Sequence, residues 1–160
     1  MIHPMPALAS LTRHLEDDAH TLAFGRDLGR CLTPGMVIYL RGDLGAGKTS
    51  LARGILRGLD YRNKVKSPTY TLVEAYKVSR LYLYHFDFYR LDEPGAWIDA
   101  GFREYFNEQS VCLVEWPERA GDTLPAPDLD ITLDIPDVGR DMCIVALSET
   151  GRRCLSMLDT

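Results

Sequence analysis

The sequence has no apolar stretch approaching roughly 18 residues, so no membrane-spanning helix is expected. Met1 to Pro6 lacks the apolar segment of a secretory leader. Positive charge is scarce: 18 Lys and Arg stand against 23 Asp and Glu, for a formal net charge of -5. That balance argues against broad, sequence-independent nucleic-acid binding, which needs a cationic surface. It leaves room for a partner that itself handles RNA. The four cysteines, Cys31, Cys112, Cys143 and Cys154, form no C-x-x-C, and two of them fall in apolar runs, where cysteine serves as a small hydrophobe. A metal cluster or disulfide framework is therefore disfavoured, and the reducing cytoplasm is the expected compartment. No internal repeat or low-complexity segment interrupts the chain. Its 160 residues suit one domain with a substantial core. Residues 1–16 and 151–160 are expected to be flexible termini.

What is present is a glycine-rich run, Gly42-Asp43-Leu44-Gly45-Ala46-Gly47-Lys48-Thr49, which fits the phosphate-loop pattern G-x-x-x-x-G-K-[ST]. Glycines let the backbone bend so that successive amide groups point at one anion. The helix that follows offers its N-terminus to the same phosphates. Lys48 can reach the β- and γ-phosphates, and the Thr49 hydroxyl can ligate Mg²⁺. Context agrees: the apolar run Met36 to Leu40 precedes the loop, and Leu51, Ile55 and Leu59 recur at helical spacing after it.

Elsewhere, Glu16-Asp17-Asp18 opens a helix carrying Leu22, Leu28 and Leu32, and Thr33-Pro34-Gly35 ends it. Asp60 to Pro68 reads as a basic-leaning loop. Tyr70 to Tyr76 and Leu81 to Phe88 read as an antiparallel hairpin around Val78-Ser79-Arg80. A helix is predicted from Pro94, with Ile98, Phe102 and Phe106 on one face. Val111 to Val114 is a short buried strand. Glu118 to Asp128 is loop, and Leu129 to Ile135 and Met142 to Leu147 are strands. The fold class is α/β: a small P-loop NTPase domain over residues 1–160, with a mostly parallel central sheet, antiparallel additions and flanking helices.

Three further positions bear on chemistry. Glu115 closes the strand Val111 to Val114, where phosphate-loop proteins place an acidic residue of the Mg²⁺ shell. A solvated strand end is the plainer reading. Trp116 after it suits core packing, nucleotide sensing or a partner contact. In His85-Phe86-Asp87-Phe88-Tyr89-Arg90, alternation puts His85, Asp87 and Tyr89 on one face and the two Phe on the other. Asp87 could orient an attacking water or join the outer metal shell, or simply belong to a polar strand face. The hydroxyls of Val65-Lys66-Ser67-Pro68-Thr69-Tyr70 could sense a γ-phosphate or form only a turn.

In sequence and order, the phosphate loop, the Val65 to Tyr70 segment, His85 to Leu91 and Leu113-Val114-Glu115-Trp116-Pro117-Glu118 closely resemble the TsaE (YjeE) family. The resemblance spans about Asp17 to Pro136. It implies an ATPase component of bacterial tRNA threonylcarbamoyladenosine biosynthesis that binds ATP and Mg²⁺ and hydrolyses ATP slowly alone. It implies a protein partner, the TsaB–TsaD threonylcarbamoyl transferase, with tRNA met only through that complex. It implies phosphate contacts from Gly42, Asp43, Leu44, Gly45, Ala46, Gly47, Lys48, Thr49 and Ser50. Mg²⁺ would be held by Thr49 and Glu115, with Lys48, Asp87 and Glu115 catalytic. Ser67, Pro68 and Thr69 match its switch loop and Asp87 the carboxylate of a second switch. Trp116 matches its Trp after the acidic strand end. Asp18, at a helix start near the base, and Arg140, in a late Gly-Arg, complete the nucleotide set. Ser50 stands where a second Thr is common, Trp97 departs from the family's usual Glu or Leu, and the tail from Gly151 matches nothing. A small-molecule kinase and a non-hydrolytic ATP-gated adaptor are the alternatives on this fold. A GTPase is disfavoured, because no N-K-x-D guanine motif occurs.

Overall fold

A computed structural model describes residues 7–66, 71–78 and 80–158 of the chain. In chain order it contains β1 (Ala9–Leu15), α1 (Asp18–Cys31), β2 (Val37–Arg41), α2 (Lys48–Gly58), β3 (Val73–Lys77), β4 (Tyr82–Asp87), α3 (Ala96–Asp99), β5 (Ser110–Glu115), β6 (Leu129–Asp134), β7 (Arg140–Ala146) and α4 (Glu149–Leu158). One 7-stranded sheet has the order β1-β7-β6-β2-β5-β4-β3. The four central strands β6, β2, β5 and β4 are parallel, and antiparallel pairings add β7 and β1 at one edge and β3 at the other. β5 is buried at every position, as an interior parallel strand covered on both faces must be.

The sheet separates two apolar clusters. Val111 and Leu113 join the larger one, with Leu28, Leu51 and Ile55 from α1 and α2. Cys112 and Val114 point the other way, into an aromatic cluster of Phe86, Phe88 and Trp97. Trp97 is fully buried at its centre, and its indole N–H donates to Thr123 Oγ1 at 2.7 Å. Burial pushes the Cys112 and Cys154 thiols up to about 12, in keeping with cysteines that serve as packing residues.

α1 and α2 meet through two small-residue ladders, Gly25 with Gly29 and Gly54 with Gly58. A Cβ on Gly54 would lie 2.3 Å from the Leu22 carbonyl oxygen, and one on Gly58 2.2 Å from that of Arg26. The backbones approach too closely for any side chain at these positions. This contact ties the helix that follows the phosphate loop to the helix whose start carries Asp17 and Asp18. Asp17 caps α1 by accepting the His20 amide at 2.9 Å.

Four expectations are corrected. The helix predicted from Pro94 is instead the four-residue α3 and a separate 3₁₀ turn at Phe102–Tyr105. Gly101, at φ 88°, lies between them in the left-handed region that ends helices. The loop predicted from Glu118 begins within a 3₁₀ turn at Pro117–Ala120. Residues 9–15 are not a flexible terminus but a strand paired with β7 along its whole length, burying Leu11 and Leu15. Residues 149–158 form α4, which buries Cys154 and Leu155. Among the described residues no helix is long and apolar enough to cross a membrane.

Candidate active site

β2 ends at Arg41 and the chain turns at once into the glycine loop. Gly42, Gly45 and Gly47 take φ of 152°, 84° and 96°, a backbone that residues with a Cβ rarely adopt. Gly42 also lies against Leu133, where a Cβ would stand 2.8 Å from the carbonyl oxygen. The Ala46 amide closes the turn on the Asp43 carbonyl at 3.1 Å. Arg140, at the start of β7, braces the loop from outside. Its Nε donates to the Ala46 carbonyl at 3.2 Å and its Nη2 to the Gly45 carbonyl at 3.0 Å.

The loop opens onto a cavity of about 850 Å³ lined by Leu44, Gly45, Gly47, Lys48, Thr49 and Ser50 from this segment. Asp18, Asp87, Glu115, Trp116 and Arg140 reach the same cavity from four other parts of the chain. Gly42, Asp43 and Ala46 shape the loop without lining the space. Asp18 accepts a hydrogen bond from the Ser50 hydroxyl, joining the starts of α1 and α2 at one wall. Ser67, Pro68 and Thr69 lie outside the described residues.

The charged centre of the cavity is built by parallel register. β4 and β5 pair with Asp87 opposite Glu115, so two carboxylates stand side by side at the ends of adjacent strands. Lys48 Nζ lies 3.5 Å from Glu115 Oε1 and donates to the Gly42 carbonyl at 2.6 Å. The same ammonium sits 4.4 Å above the Trp116 ring. Trp116 holds a φ of 55°, strained for a bulky residue, and also contacts Tyr89 at 5.1 Å between ring centroids. Of the three readings of this Trp, core packing is thus not its sole contact. His85, which had no assigned role, approaches Glu115 Oε2 through Nε2 at 2.6 Å. Its signal in the sequence was the alternation that puts it on the Asp87 face.

The environments push the two carboxyls apart. Burial alone would raise Glu115, but the hydrogen bond from His85 and the Lys48 ammonium outweigh it and hold this carboxyl below its ordinary value. Burial raises Asp87, the Tyr89 amide works against that, and the neighbouring Glu115 charge adds to it. Glu115 and Thr49 line the same cavity, and a carboxylate with a hydroxyl is a donor set that suits a hard divalent cation. Among the described residues no cluster of three or more His, Cys, Asp or Glu forms a metal cage.

Comparison with known proteins identifies the family. The family model "Threonylcarbamoyl adenosine biosynthesis protein TsaE" matches residues 15–142. The chain is 40% identical over 154 residues to the tRNA threonylcarbamoyladenosine biosynthesis protein TsaE of Haemophilus influenzae, covering 93% of this chain and 98% of that relative. It is 41% identical over 120 residues to the Bacillus subtilis protein of the same name, covering 75% and 73%. A crystal structure of Bacillus subtilis YdiB superimposes with a TM-score of 0.82 at 30% identity, over 99% of this chain and 97% of that one. The chain belongs to the TsaE family.

Proposed function

We propose that this protein is a Mg²⁺-dependent ATPase of tRNA threonylcarbamoyladenosine biosynthesis that supports turnover of the TsaB–TsaD transferase. The observation that carries the ATPase part is the placement of Asp87 and Glu115 in register beside Lys48, with Lys48 Nζ 3.5 Å from Glu115. The pathway part rests on membership of the family. Transfer to tRNA itself is assigned to the partner, in keeping with a net charge of -5, which argues against broad, sequence-independent RNA binding by this chain.

In this reading the loop amides and Lys48 hold the β- and γ-phosphates, and the start of α2 adds its partial positive charge. Thr49 and Glu115 would hold Mg²⁺, which when bound supplies positive charge against the phosphate oxygens. Glu115 keeps its negative charge at neutral pH because His85 and Lys48 stabilise it. Asp87, anchored through Oδ1 to the Tyr89 amide at 3.0 Å, is placed to orient a water beside the phosphates. Arg140 positions the loop carbonyls. Catalysis is then chiefly positioning and charge neutralisation.

The test is phosphate release from ATP and Mg²⁺ by the protein alone and mixed with the purified two-subunit transferase. Slow release that rises on mixing supports the accessory-ATPase reading. Bound ATP with no rise on mixing contradicts it and favours the kinase or adaptor alternative.

A further inference from the structure

Among the described residues, His85 Nδ1 is a buried side-chain atom without a hydrogen-bond partner. The residue is 3% exposed and sits on β4, between β5 and the edge strand β3, where its same-face predecessor Leu83 is core. An aliphatic side chain would continue that column and leave nothing unsatisfied, whereas an unpaired buried polar atom is destabilising. What the imidazole provides instead is its other nitrogen. Glu115 Oε2 can only accept, so Nε2 carries the proton, and the 2.6 Å separation is that of a strong, charge-assisted bond. Glu115 is thereby held at both oxygens, by His85 at Oε2 and by Lys48 at Oε1. Asp87 stands across from it in register.

We infer that His85 is a positioning residue: its Nε2–H fixes the Glu115 carboxylate in the orientation that receives a divalent cation together with nucleotide. This rests on the Mg²⁺–ATP reading above. Histidine and carboxylate exchange their usual places here. In many metal sites a carboxylate orients a ligating imidazole, whereas here a buried imidazole orients a carboxylate.

The experiment measures ATP affinity by calorimetry in EDTA and across a Mg²⁺ titration, for the unmodified chain, His85→Leu and His85→Gln. Gln carries its amide nitrogen near the place of Nε2, so it can restore the donor. Expected is a His85→Leu midpoint in Mg²⁺ raised about tenfold or more. Its ATP affinity in EDTA should stay within about twofold, and His85→Gln should return to within about threefold of the unmodified protein. An unchanged His85→Leu midpoint, or His85→Gln as impaired as His85→Leu, overturns the role of His85 alone. Nucleotide binding by the unmodified chain that ignores Mg²⁺ overturns the metal reading beneath it. Should His85→Leu fail to unfold cooperatively, ¹⁵N spectra of the histidines in the unmodified protein decide. A proton on Nε2 with a bare Nδ1 supports the inference, and a proton on Nδ1 with a bare Nε2 overturns it.

Discussion

Glu115 and Lys48 come from positions far apart in the chain and meet at 3.5 Å, each at no more than 8% side-chain exposure. Neither ion is tolerable there alone, since a buried charge needs a partner. The pair exists because β2 and β5 are hydrogen-bonded neighbours with Leu40 opposite Glu115, so the loop leaving β2 passes directly over the end of β5.

Glu115→Gln keeps the shape and removes the charge. We expect phosphate release in the presence of the transferase to fall at least about 100-fold, because the residue would lie in the metal shell. ATP affinity in EDTA should change by less than about threefold, since the phosphate-loop amides and Lys48 remain. Parallel phosphate-release and calorimetric assays check both halves of this expectation.

Glu115 and its neighbour Asp87 act in opposite senses on acid stability. Glu115 is held below its ordinary 4.5, so the stability it contributes is present above that pH and lost as pH falls through its lower folded value. Asp87 is raised above 3.8 and acts in the opposite sense, favouring the folded state at low pH and losing that contribution as pH rises through its folded value. Urea midpoints between pH 6 and 3 should therefore fall less steeply in Glu115→Gln than in the unmodified protein, and more steeply in Asp87→Asn. The reverse order would show the carboxyl environments to be misassigned.

Trp116 lies under the Lys48 ammonium, whereas Trp97 is sealed in the aromatic cluster. Nucleotide that draws Lys48 toward phosphate must change the surroundings of Trp116 and not of Trp97. Tryptophan emission should respond to ATP in Trp97→Phe and be silent in Trp116→Phe. A response that survives Trp116→Phe would separate this ring from the site.

Gly54→Ala would drive a methyl group into the Leu22 carbonyl. Overpacking of a rigid backbone contact should cost about 3 kcal/mol or more. Gly95→Ala, where a Cβ meets nothing within 4 Å, should stay within about 0.5 kcal/mol. Urea unfolding of the two variants gives the comparison.

That helix contact also marks where sequence reading stops. The phosphate loop, the β5 strand end and the opposed faces of His85–Asp87 and Phe86–Phe88 were legible because each is a local pattern of period or spacing. The pairing of Gly25 and Gly29 with Gly54 and Gly58 was not, because it exists only when two helices are placed side by side. β1 is not legible because exposed Arg13 interrupts the core-facing alternation of Ala9, Leu11 and Leu15, and its partner β7 lies some 130 residues away. The helix drawn from Pro94 to Phe106 overrode Gly101, whose left-handed backbone broke it. Arg140 lies at the predicted loop, but its guanidinium is engaged by the Gly45 and Ala46 carbonyls, a role that no local pattern announces.

The most direct measurement is a calorimetric titration of ATP with Mg²⁺ into the unmodified protein and into Lys48→Ala, with both shown to be folded. Saturable binding at one site, weakened at least about tenfold when Lys48 is removed, is the predicted result, because a charge-assisted phosphate contact is lost. A folded Lys48→Ala protein that binds ATP as tightly as the unmodified chain would contradict the assignment of this loop as the nucleotide site.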